Sequence, residues 1–163
     1  QKEKYFLTKK VQVSGNPFNP ILVLEFFADA EFTKGSAVIS KQGIVGRVSS
    51  AGSGSLEVML VQDSKSFIPI KTSITDYHAI VQGAGLEREG KLINVKKTAE
   101  LKKGEKILTS GVAGVFPYGY EVGTISEIED IPDDKYLKVK VLFSSNPSMI
   151  DFFLVNQTKL QDK

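Results

Sequence analysis

Hydrophobic and polar positions alternate with a period of two along most of this chain. From Tyr136 to Phe143, the residues Leu137, Val139, Val141 and Phe143 share one face while Lys138 and Lys140 occupy the other, the pattern of a half-buried strand. Leu56, Val58 and Leu60 alternate in the same way with Glu57, Met59 and Val61. Further short runs rich in β-branched or aromatic residues lie at Val11-Gln12-Val13, Ile21 to Phe27, Ala37 to Ile39, Ile44 to Val48, Ile68 to Ile74, Ala79 to Val81, Leu92 to Val95, Ile107 to Leu108, Val122 to Ile128 and Phe152 to Val155. Turn residues such as Gly52-Ser53-Gly54 and Pro132-Asp133-Asp134 separate them. About a dozen short strands with no long helical stripe predict an all-β chain, a sandwich or small barrels. Only Thr98 to Lys103, with Thr98 as an N-cap and Gly104 just beyond, reads as a turn of helix.

The chain also matches itself. Lys34-Gly35-Ser36-Ala37-Val38-Ile39-Ser40 parallels Lys103-Gly104-Glu105-Lys106-Ile107-Leu108-Thr109, and each reaches a Gly-bearing turn at Gly43 or Gly111. Both then arrive at a Val-Gly step, Val45-Gly46-Arg47-Val48 and Val122-Gly123-Thr124-Ile125, and both end in an alternating strand. Three features recurring in one order predict a degenerate internal duplication giving two small packed β-barrel lobes. The plainer alternative is that Lys-Gly before a strand is common hairpin grammar. The repeat offset places residues 11–85 in a first lobe and 86–160 in a second, divided near Gly83 to Gly90, with residues 1–10 as an entry segment and strand exchange between lobes left open.

Composition narrows the function. The 163 residues are 41% hydrophobic and 25% charged with a formal net charge of +2, ordinary values for a folded domain and enough chain for one core or two small ones. Lys and Arg are spread along the chain instead of gathered into a stripe, which argues against nucleic acid as a partner. The longest apolar run, Ile21 to Phe27, is interrupted by Glu25 and is far shorter than the roughly 20 residues of a spanning helix. The absence of Cys removes thiol catalysis, Cys-ligated metal and disulfides, and suits an oxidising compartment. The start at Gln1, without Met or a secretory signal, reads as a processed or truncated piece.

Paired small barrels also occur in trypsin-like proteases, so a catalytic triad is worth testing. His78 is the only His, no Asp lies between it and Ser110, and Ser110 lacks the glycine-flanked elbow that exposes a nucleophile. No catalytic residue is assigned. Gly83-Ala84-Gly85 lacks the third glycine and the following helix of a phosphate loop, and reads as a tight turn or interlobe linker. Glu127, Glu129, Asp130, Asp133 and Asp134 do not follow the calcium-loop spacing and read as a solvated hairpin turn. Neither a metal nor a cofactor is expected.

One segment points outward. In Val115 to Glu121 the rings of Phe116, Tyr118 and Tyr120 alternate with Pro117 and Gly119, so an extended segment would project all three from one face. Aromatics on a rigid edge anchor protein interfaces, although core packing is the plainer reading for Phe116, and Tyr118 and Tyr120 admit either role. Phe67, at the end of the polar loop Asp63 to Ser66, is the expected addition to this patch. The glycines Gly46, Gly111, Gly114, Gly119 and Gly123 are expected to serve the backbone.

The stretch Lys103 to Gly123 resembles the signature of the bacterial rod shape-determining MreC family, which runs approximately Gly-Asp-x-Val-x-Thr-Ser-Gly, then Gly-x-Phe-Pro-x-Gly and Val-Gly. Gly43-Ile44-Val45-Gly46-Arg47-Val48 resembles a second family element in the expected place. The departures are Glu105 where the family often has Asp, and the more aromatic Tyr118/Tyr120 pair. The resemblance implies a non-enzymatic periplasmic scaffold, held at the inner membrane by an N-terminal anchor and coiled coil whose tail would be Gln1 to Lys10. It implies a class B penicillin-binding transpeptidase, RodA, MreD and MreB as partners, together with self-association. The competing class is a cell-wall carbohydrate-binding module or hydrolase; the lack of Trp counts against it.

Overall fold

The computed structural model describes residues 3–27, 29–85, 88–114 and 116–158. Among the described residues, twelve strands form two closed antiparallel barrels of six strands each. The strands are β1 (Glu3–Asn16), β2 (Asn19–Glu25), β3 (Ala37–Ser40), β4 (Gly43–Ala51), β5 (Ser55–Leu60), β6 (Phe67–Thr72), β7 (His78–Gly83), β8 (Glu89–Lys96), β9 (Lys106–Thr109), β10 (Glu121–Glu129), β11 (Tyr136–Phe143) and β12 (Phe152–Thr158). The first barrel runs β1-β12-β3-β4-β5-β2 and the second β10-β11-β8-β7-β6-β9. The all-β, two-barrel reading holds.

Read around each ring, the two orders are the same. β3, β4, β5, β2, β1 and β12 take the places of β9, β10, β11, β8, β7 and β6. The correspondence reaches single hydrogen bonds. Gly35 N–H donates to Val48 O and Val48 N–H to Ser36 O, just as Gly104 N–H donates to Ile125 O and Ile125 N–H to Glu105 O. Gly46 and Gly123 are likewise equivalent, and a Cβ at either would overlap a backbone carbonyl of the neighbouring strand, Met59 O or Leu142 O, at well under 3.0 Å. These glycines serve close strand approach, where any larger residue forces the sheet apart.

The division between lobes differs from the expectation of 11–85 and 86–160. The second barrel begins at Phe67 and ends at Phe143, so Gly83 to Gly90 is its own β7–β8 hairpin turn, of which Leu86 and Glu87 lie outside the described residues. The chain then returns to the first barrel as β12, which pairs with both β1 and β3. The reason is closure: β1 to β5 alone would leave two unpaired edges, and the C-terminal strand fills the place that β6 occupies in the other ring. Residues 3–10 belong to β1, so over those residues the coiled-coil reading gives way to a strand; Gln1, Lys2 and 159–163 lie outside the described residues. The helical turn expected at Thr98 to Lys103 is a turn and loop, with Ala99 and Leu101 packed on the core of the second barrel.

Each barrel has its own core, centred on Leu22, Leu24, Val58 and Phe153 in the first and on Ile70, Val95, Ile125 and Phe143 in the second. Ala37, Ile39 and Ile44 of β3 and β4 pack into the second core, so the barrels share an apolar junction. Among the described residues no helix is long and apolar enough to cross a membrane.

Candidate functional site

The aromatic segment lies at this junction, and its rings diverge. Phe116 is 4% exposed and packs in the second core, with the Arg47 guanidinium 6.0 Å from its centroid. Tyr120 is half-buried against the same core, and its hydroxyl lies 3.1 Å from that of Tyr5 on β1. Of the three, only Tyr118 projects outward, at 64% exposure. The expectation of three rings on one face is corrected, and Phe116 is withdrawn from the partner-binding set. The cause is the backbone: Pro117 to Tyr120 forms a turn and not an extended strand, so the alternation that would align the rings is lost. Val115 lies outside the described residues.

Buried Thr109, the last residue of β9, holds this turn. Its hydroxyl donates to Pro117 O (2.5 Å) and accepts from Tyr120 N–H (2.9 Å), its N–H donates to Tyr120 O (2.8 Å) and its carbonyl accepts from Gly119 N–H (2.9 Å). Gly111, Gly114 and Gly119 around it all have positive φ. The Tyr118 ring is thereby fixed beside β6, where the Lys71 ammonium sits 4.8 Å from its centroid and donates to its hydroxyl. That hydrogen bond raises the Lys71 pKa, burial opposes it, and Asp76, 3.7 Å away, adds to the rise. The Lys71 ammonium beside the aromatic edge is thus held in its protonated form, with the Asp76 carboxylate as its counter-charge.

Phe67, 44% exposed, shares this outer face. Along β6 the buried Ile68, Ile70 and Thr72 point inward, while Phe67, Pro69 and Lys71 point out. Pro69 pairs with Ile80 and Ile80 with Ile93, which lays an apolar row across three strands. Phe67 is about 13 Å from Lys71 along the strand, so it and Tyr118 bracket one face without touching.

Beneath the face, the buried Glu105 pins the β6–β7 turn. Its carboxylate accepts the N–H groups of Ile74 and Thr75 (both 2.7 Å) and of Lys102 (3.2 Å), and the Thr75 hydroxyl. Burial pushes this carboxyl up, and the hydrogen bonds from Thr75, Ile74 and Lys102 outweigh it and hold the pKa below its ordinary value. Glu105 and Thr109 went unassigned in the sequence. The sequence signal for Thr109 is the Thr109-Ser110-Gly111 run at the end of a short strand.

His78 Nε2 lies 3.9 Å from Asp76 Oδ1, beyond hydrogen-bond reach, and Ser110 Oγ accepts from Val112 N–H. Both residues border a shallow outer groove, and among the described residues no hydrogen bond links them. Glu127 and Glu129 pair with Lys140 and Lys138, and Asp130 with Lys97, on the β10–β11 side of the second barrel.

A tandem of six-stranded antiparallel barrels joined by an apolar junction defines an all-β, double-barrel domain. The family model "Rod shape-determining protein MreC, barrel core" matches residues 11–157, and the chain belongs to the MreC family. It is similar to the cell shape-determining protein MreC of Escherichia coli (strain K12), 26% identical over 129 residues, covering 79% of this chain and 35% of that protein. The chain therefore spans about a third of the length of this curated relative. Its fold matches the crystal structure of MreC from Pseudomonas aeruginosa with a TM-score of 0.87 at 23% identity, over 95% of this chain and 99% of that one. It also matches a chain of the complex between penicillin-binding protein (PBP2) and MreC from Helicobacter pylori, with a TM-score of 0.70 at 22% identity, over 95% and 98%.

Proposed function

We propose that this domain is a non-enzymatic periplasmic scaffold of the cell-wall elongation machinery. On this reading the full-length protein is held at the inner membrane by a segment upstream of β1, and it maintains rod shape. The outer face of β6 to β8 with the Tyr118 edge docks the class B penicillin-binding transpeptidase. By binding an active arrangement of the enzyme better than its resting one, the scaffold shifts that equilibrium without performing chemistry itself. RodA, MreD, MreB and further copies of the scaffold complete the assembly.

The observation that carries the proposal is Tyr118, exposed yet immobilised by the Thr109 clamp and by Lys71. A preordered aromatic beside an apolar row loses little entropy on binding, the property of an interface anchor. The Helicobacter pylori neighbour, solved in complex with PBP2, supports the partner class. The carbohydrate reading draws no comparable support, because the Tyr118 hydroxyl is already taken by Lys71 and the chain has no Trp to stack on a sugar. Calorimetric titration of this chain with the periplasmic part of the transpeptidase, run beside sedimentation with purified peptidoglycan, separates the two. Saturable binding to the enzyme supports the scaffold, whereas saccharide-dependent sedimentation alone contradicts it.

A further inference from the structure

Away from the Tyr118 face, a cleft of about 520 Å³ opens between the barrels, a volume within the usual range of small-ligand sites. Its walls are apolar: Val13, Pro17 and Pro20 from the β1–β2 hairpin, Leu60 at the end of β5, and Pro147 in the crossover to β12. Four polar side chains join them, Gln62, Arg88, Asn146 and Ser148. Gln62 is 4% exposed, and its amide nitrogen donates to Ser145 O (3.2 Å) while its Oε1 has no hydrogen-bond partner. Asn146 leads into the short 3-10 turn of the crossover without capping it by its side chain. Arg88 uses Nε for Phe143 O (3.0 Å), and among the described residues its terminal guanidinium nitrogens have no acid. Among the described residues no Asp or Glu lines the cleft.

The walls are fixed from outside. Asn16 Oδ1 accepts the N–H groups of Phe18 and Asn19 and so shapes the hairpin, and the Asn19 amide donates to Asp63. Lys10 donates to the carbonyls of Pro147 and Ser148 and holds the crossover. A proline-lined cleft with a guanidinium that no acid among the described residues neutralises is complementary to an anion on an apolar body. A planar carboxylate fits the two free arms of the guanidinium better than a point charge does.

We propose that this cleft binds a small apolar monocarboxylate, with Arg88 taking the carboxylate and the Val13, Pro17, Pro20, Leu60 and Pro147 walls taking the apolar body. The cleft shares no lining residue with the Tyr118 and β6 to β8 docking face. The test is a titration of the nitrogen-15-labelled chain with 4-phenylbutyrate and, separately, with its uncharged amide. The expected result is saturable shifts at the amides of Gln62, Arg88 and Asn146 with the acid, and binding about tenfold weaker or more with the amide. Arg88→Gln, checked by an otherwise unchanged spectrum, weakens the acid by a similar factor. The wild-type comparison of acid with amide stands even where that variant does not fold. Absence of saturable shifts, an equal response to the amide, an unchanged response in folded Arg88→Gln, or binding only of the blocked peptide acetyl-Leu-Glu-Leu-amide each overturns the proposal.

Discussion

The Thr109 hydroxyl bridges the two ends of the aromatic turn, donating to Pro117 O and accepting from Tyr120 N–H. It is the only side chain among those hydrogen bonds, and it is buried, so its loss leaves an unsatisfied carbonyl and an unsatisfied N–H. Each such group costs about 1–3 kcal/mol. Thr109→Val keeps the shape and removes both bonds. It is expected to lower the melting temperature by several degrees, whereas Thr109→Ser, which restores the hydroxyl, recovers most of the loss. Equal melting temperatures for wild type and Thr109→Val would show that the clamp is unimportant.

Gly46 and Gly123 sit at equivalent places in the two barrels and meet equivalent carbonyls. Alanine at either must push a neighbouring backbone aside, an overpacking cost of about 1–3 kcal/mol. Gly119 has φ +91° and open space around its Cβ position, so alanine there meets only backbone strain, about 1 kcal/mol. Chemical denaturation should therefore rank Gly46→Ala and Gly123→Ala as the more harmful pair and Gly119→Ala as the milder change. The reverse order would refute the equivalence of the two Val-Gly steps.

Glu105 has a folded pKa below its ordinary value of 4.5, so its ionised form is favoured in the native state. The sign follows by linkage: its stabilisation is fully present above the ordinary carboxylate range and is lost as pH falls through the depressed folded pKa. Glu105→Gln should be clearly less stable than wild type at pH 7. The gap in melting temperature should narrow steadily as the pH is lowered from about 5 toward 3. A gap independent of pH would mean that the carboxylate charge contributes nothing beyond its shape.

Much of this architecture was legible in the pattern of side chains. Leu137, Val139, Val141 and Phe143 announce β11, and Val45-Gly46 against Val122-Gly123 announces the repeat, because strand faces and close strand contacts are local properties. The lobe boundary was not legible. The repeat aligns β3 to β5 with β9 to β11, but which strand closes each ring depends on contacts such as Phe6 with Val155, nearly the whole chain apart. The site was partly legible. Tyr118 and Phe67 are exposed, while Phe116 turned inward because Thr109 bends Pro117 to Tyr120 away from an extended path. Glu105 resembles a charged surface residue in sequence, and only the N–H groups of the distant β6–β7 turn make its burial favourable.

Ala113 adopts φ 59° between Gly111 and Gly114, in the left-handed region that penalises a Cβ. Ala113→Gly is expected to stabilise the chain by about 1 kcal/mol in thermal unfolding. A decrease in melting temperature would indicate that the Ala113 methyl makes a contact outweighing the strain.

The central claim is that the Tyr118 edge and the β6 to β8 face dock the transpeptidase. The most direct measurement is calorimetry with the periplasmic part of that enzyme, comparing wild type with Tyr118→Ala, Phe67→Ala and, as a control on the first barrel, Phe152→Ala, each first shown to be folded. Truncating a central aromatic anchor costs about 2 kcal/mol, roughly thirtyfold in affinity. The account predicts that loss for Tyr118→Ala, a smaller loss for Phe67→Ala and no change for Phe152→Ala. Affinities for Tyr118→Ala and Phe67→Ala within about a factor of two of wild type would contradict it.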